Sequence, residues 1–172
     1  MSTYSSMIPH VVRFREPSQI AWLVPDIEAA ISRWGTDDVA SGRQWRRYLY
    51  DQDFLAESTY RGAPGAFSMR LALLGSSPQI ELIQPLAGPS IYHDWVDQHG
   101  YGFHHLGYFV DDLAAATEEF VGAGYPVAQS GCGYGLHGDG AFAYFDLSAQ
   151  LGVWIELIEV PSERRAPIAS FN

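Results

Sequence analysis

One stretch of this chain is written twice. His105-Leu106-Gly107-Tyr108-Phe109-Val110-Asp111-Asp112 lies over Gln19-Ile20-Ala21-Trp22-Leu23-Val24-Pro25-Asp26 residue for residue, without a gap. Each copy is a short apolar run of the kind a buried strand gives, closed by an aspartate that can cap a helix. After Asp26, Ile27, Ala30, Ile31 and Trp34 recur at helical spacing, and Gly35 stops the pattern. After Asp112, Leu113, Ala116, Phe120 and Val121 do the same, up to the glycines at 122 and 124. Later in each copy, Ile80-Glu81-Leu82-Ile83 matches Ile155-Glu156-Leu157-Ile158. Each half therefore reads strand, helix, strands, the mark of a duplicated unit whose halves share a core.

The remaining chain fits around that repeat. Residues 1–17 read as an N-terminal arm, 18–88 as the first module, 89–102 as a linker helix capped by Ser90, 103–160 as the second module and 161–172 as a polar tail. Strands are predicted over Met69–Leu74, Gln79–Gln84, near Pro126–Gln129, over Ala141–Leu147 and over Gly152–Val160. Residues 36–65 are the least regular part, with Trp45, Tyr48, Tyr50 and Tyr60 scattered among charges. So long a connection is a functional loop or hides short strands.

Composition narrows the class. A chain of 172 residues with 47% hydrophobic and 17% charged residues can bury a core. A net charge of −10 argues against a nucleic-acid surface. Arg43, Arg46 and Arg47 form the one basic cluster, a solvated loop or an anion clamp. One cysteine, Cys132, between two glycines, rules out an internal disulfide and reads as a bystander in a turn. No signal peptide and no apolar run long enough to cross a membrane are evident. A cytoplasmic setting and no membrane partner are expected.

The repeat nominates four side chains: Gln19 and His105 as one equivalent pair, Glu81 and Glu156 as the other. Neighbours on a strand point to opposite faces, so only one of His104 and His105 shares a face with Gly107. The repeat selects His105 and leaves His104 a structural role. A strand glutamate between apolar residues can face water, and a lone histidine can be a hydrogen-bonded core residue. Four ligand-type residues at symmetry-related positions suit a divalent metal with N and O ligands instead. Tyr92, His93 and His137 border a pocket or lie on the surface.

These same stretches, with the His104-His105-Leu106-Gly107 run, resemble the vicinal oxygen chelate superfamily of glyoxalase I, methylmalonyl-CoA epimerase, bleomycin-resistance proteins and extradiol dioxygenases. The overall run looks closest to the epimerase branch, whereas Gln19, Glu81, His105 and Glu156 resemble the metal-ligand set of glyoxalase I. The resemblance covers residues of about 17–160. It implies an α+β fold of two tandem βαβββ modules forming a curved, cupped mixed sheet. It also implies a divalent metal ion (zinc, nickel, cobalt or manganese) held by those four residues, with Glu156 doubling as the proton carrier.

The function this implies is a metal-dependent isomerase, epimerase or lyase that abstracts a proton next to a carbonyl. The alternative is a metal-free, resistance-type protein that sequesters a small molecule in the same cup. An iron dioxygenase would need two histidines and a glutamate, and Gln19 breaks that triad. A small-molecule substrate and a homodimer are the partners expected.

Overall fold

The computed structural model describes residues 7–35, 37 and 39–171. Residues 1–6 of the N-terminal arm and positions 36 and 38 of the irregular stretch lie outside the described residues. The first half contributes β1 (Gln19–Leu23), α1 (Ile27–Trp34), β2 (Arg46–Tyr50), β3 (Glu57–Tyr60), β4 (Ala63–Pro64), β5 (Ser68–Leu74) and β6 (Gln79–Ala87). Helix α2 (Ile91–His99) joins the halves. The second half contributes β7 (Gly102–Phe109), α3 (Leu113–Gly122), β8 (Gln129–Cys132), β9 (Ala141–Leu147), α4 (Ser148–Leu151) and β10 (Val153–Glu159).

Among the described residues the strands form one curled, ten-stranded sheet in the order β2-β5-β6-β1-β7-β10-β9-β8-β3-β4. The duplication is visible in it. Within each half the first strand pairs in parallel with the last, β1 with β6 and β7 with β10. The halves meet where β1 and β7 run antiparallel at the centre. The helix starts follow the aspartates: Asp26 accepts from the Ala29 N–H at 3.0 Å and Asp112 from the Ala115 N–H at 2.9 Å. Ser90 caps α2.

Strand alternation divides the core. Met69, Leu71 and Leu73 of β5, Ile83 of β6, and Trp154 and Ile158 of β10 face the inside of the cup. Ala72 and Leu82 face α1 on the outside, and Ile155 and Leu157 face α3. Glu81 and Glu156 have the parity of the inward residues, so neither glutamate lies on a wet face.

The irregular stretch hides strands. β2 edges the first half, but the β3–β4 hairpin leaves it altogether and adds to β8 of the second half. The first module as bounded in sequence thus lends a hairpin to the far edge of the sheet. Of the basic cluster, Arg47 pairs with Glu28 at 2.8 Å and Arg46 donates to the Gly75 carbonyl. Cys132 ends β8, not a turn, and is half-buried. Among the described residues no helix is long and apolar enough to cross a membrane.

Candidate metal centre

Register brings the four nominated residues together. On the central pair, Gln19 lies opposite Gly107 and His105 opposite Ala21. On the parallel pairs, Ala21 lies opposite Glu81 and Gly107 opposite Glu156. Each small residue thus sits between two polar ones, and all four side chains rise from one face. Gly107 is required by closeness: a Cβ there would lie 2.9 Å from both Cβ and Oε1 of Gln19.

The four side chains are out of solvent, at 2% exposure for Gln19, 4% for Glu81, 0% for His105 and 5% for Glu156. His105 Nε2 stands 3.0 Å from Oε2 of Glu81 and 3.0 Å from Oε2 of Glu156. Close as these are, the hydrogen-bond geometry is not met. Gln19 Oε1, Glu81 Oε2, His105 Nε2 and Glu156 Oε2 are all buried without a hydrogen-bond partner. One buried orphan costs about 1–3 kcal/mol, more if charged; here four converge, and a common cation would satisfy what the His105 contacts with Glu81 and Glu156 satisfy only in part. Ligand atoms of Glu81, His105 and Glu156 all lie within 4.8 Å of one another. This donor set, carboxylates with imidazole and an amide oxygen, fits a borderline or hard divalent ion.

The surroundings aim the ligands. Gln19 Nε2 donates to Gln79 Oε1 at 2.6 Å, which turns Gln19 Oε1 toward the cluster. His105 Nδ1 lies 3.0 Å from His104 Nδ1. Whenever Nε2 is given to an ion, the Nδ1–H of His105 is donated to His104, which orients the ring. His104 therefore does not point away from the site, as alternation would require. Ala21 pairs with His105 and Trp22 with Phe103, so His104 is the extra residue of a β-bulge. The bulge returns it to the inner side. There it stacks on Trp154 at 6.1 Å between rings and meets Tyr92 edge-on at 5.6 Å.

Electrostatics follow from burial. For His105, burial alone lowers the pKa, but the Glu156 and Glu81 carboxylates outweigh it and raise the value to about 9. Burial raises Glu81, against the opposing pull of the adjacent His105. Burial and the neighbouring His105 hold His104 well below the usual imidazole range, so it stays neutral.

A cavity of about 20 Å³ adjoins the cluster, lined also by Tyr50, Tyr134, Tyr144 and Arg164. None of these four was singled out from sequence. Tyr50 lay among scattered aromatics and Arg164 in the tail, with no spacing to mark either. Tyr92 is fully buried, not a surface group, and its hydroxyl donates to that of Tyr144 at 3.1 Å. His93 only caps against Ser90, and His137 is exposed, 3.4 Å from Glu163.

The family model of the Glyoxalase/Bleomycin resistance protein/Dioxygenase superfamily matches residues 18–145. The chain belongs to that superfamily. Solved structures of similar fold include a hypothetical protein, BH1468, from Bacillus halodurans C-125, at 18% identity and TM-score 0.58, covering 87% of this chain and 97% of that one. Methylmalonyl-CoA epimerase from Mycobacterium tuberculosis follows at 24% identity and TM-score 0.57, covering 85% and 89%. A Streptomyces coelicolor methylmalonyl-CoA epimerase variant in complex with 2-nitronate-propionyl-CoA is similar at 18% identity and TM-score 0.54, covering 86% and 98%. No curated protein matches the sequence. As a superfamily member the chain has the two-module cup, and its buried Glu81, His105 and Glu156 form a group that could hold a divalent metal.

Proposed function

We propose that this protein is a divalent-metal-dependent isomerase, epimerase or lyase that moves a proton on the carbon next to a carbonyl of a small substrate. The observation that carries this reading is the convergence of four orphaned, buried ligand atoms on Gln19, Glu81, His105 and Glu156. Those four residues would hold the ion. When bound, a divalent ion there supplies Lewis-acid stabilisation of the negative charge that develops on a carbonyl oxygen. Glu156 is the proton carrier as well as a ligand, because its carboxylate lines the cavity. The tyrosines around it, Tyr50, Tyr134 and Tyr144, exclude water, and burial keeps their hydroxyls protonated. The methylmalonyl-CoA epimerases of similar fold support an isomerase of this kind.

A metal-free role in sequestering an aromatic molecule fits less well. An apolar guest would leave the same four polar atoms unsatisfied, at a cost of several kcal/mol. The test is metal analysis of protein purified without chelator, repeated on Glu81→Ala and His105→Ala. Near-stoichiometric metal in the wild type, lost in both variants, is expected. A metal-free wild type that cannot be reconstituted with zinc, nickel, cobalt or manganese would sink the proposal.

A further inference from the structure

The polar tail is built into the cup. The Glu163 carbonyl accepts from the Leu136 N–H at 2.8 Å, and Arg164 bridges to Gly135. The Arg165 guanidinium donates to the carbonyls of Asp53, Gly133 and Gly135, each at 3.3 Å. Further on, the Ile168 N–H donates to the Arg47 carbonyl at 2.9 Å. Gly133–Leu136 follow β8 in the second half, and Arg47 belongs to β2, the outer strand of the first. The segment therefore ties the loop after β8 to the β2 edge of the sheet.

Arg164 is the residue of this strap that lines the cavity, together with Gln19, Glu81 and Glu156. Its guanidinium carbon sits 5.3 Å from the Tyr134 ring centroid, and Tyr50 lines the same cavity wall beside it. Among the described residues, no carboxylate comes within 4.0 Å of it. Its influence on Glu81 is weaker than that of burial, His105 or Glu156. A half-buried guanidinium held over a ring lacks the planar oxyanion that its fork of donors matches. The cavity of about 20 Å³ beside it has room for one ion or water and for no organic substrate. An organic substrate there needs more room than the cavity has, and Arg164 brings the strap to its wall.

We propose that Arg164, with the Tyr50 hydroxyl, is an anion subsite for a carboxylate on a small carbonyl substrate, carried on a C-terminal strap that shifts as the substrate binds. This rests on the proton-transfer reading above and narrows its substrate class to acids.

The test uses malonate and its neutral diamide, probes of similar shape that differ in charge and in the donor N–H groups of the diamide. Each is titrated against manganese-loaded and metal-free full-length protein, for the wild type, Arg164→Met and Arg164→Lys. Metal affinity is measured in parallel, so failure of the metal reading appears there by itself. The expected result is malonate binding to wild type, in either form, that weakens roughly 10- to 100-fold in Arg164→Met. Arg164→Lys should lose less, and diamide affinity should not change. The Lys variant also guards against a folding defect, since it keeps the charge and the stem. Equal malonate affinity in wild type and Arg164→Met, an equal loss for the diamide, or no malonate binding to either form would overturn the subsite.

Discussion

Loading the centre with metal should expel a proton, and the structure gives its size. His105 is raised to about 9 by Glu156 and Glu81 despite its burial. At pH 7 it is therefore about 99% protonated, and its Nε2 lone pair is not free. An ion can bind only after that proton leaves, which at pH 7 costs about 2 pH units, or about 2.7 kcal/mol. The apparent Kd for manganese should thus be about 100-fold weaker at pH 7 than above pH 9, and fall about tenfold per pH unit from 6 to 8. The sign follows from the raised value: the proton is bound below it, so acid opposes metal and alkali favours it. Calorimetric titrations in buffers of different ionisation enthalpy count the proton directly. About one should be released at pH 7 and none near pH 10. Glu81→Gln removes one of the two carboxylates that raise His105, so release at pH 7 should drop in that variant. A pH-independent Kd, or no proton release at pH 7 in the wild type, would refute the claim that this histidine is held charged between two carboxylates.

Two substitutions test how the ligands are aimed. His104→Phe keeps a ring between Trp154 and Tyr92 but removes the acceptor for His105 Nδ1. Metal affinity should fall 10- to 100-fold, with the denaturation midpoint moving far less; unchanged affinity would show that the His104 contact does not orient His105. Gly107→Ala puts a Cβ 2.9 Å from Gln19 Cβ and Oε1 and 3.1 Å from Ile158. Chemical denaturation should show a loss of about 1–3 kcal/mol, with weakened metal binding because Gln19 must shift.

Much of the fold is legible in the sequence because a duplication leaves a repeating mark. The apolar run ending in Asp26 and its copy ending in Asp112 show where two equivalent strands give way to capped helices. Gln19, Glu81, His105 and Glu156 could be nominated for the same reason. The hairpin Glu57–Pro64 could not be placed, because pairing with β8 depends on the curl of the whole sheet and not on its own residues. Nor could the direction of His104 be read from strict alternation, because the bulge is set by how β7 meets β1.

The sequence by itself determined the two copies, the helix starts and the parity of both glutamates. These are local or periodic properties, carried by neighbours along the chain. Only the tertiary structure decided that four buried ligand atoms would face one another unpaired, that His104 would support His105, and that Arg164 from the tail would join them. Those are meetings between residues far apart in the chain, and long-range register and packing, not spacing, bring them about.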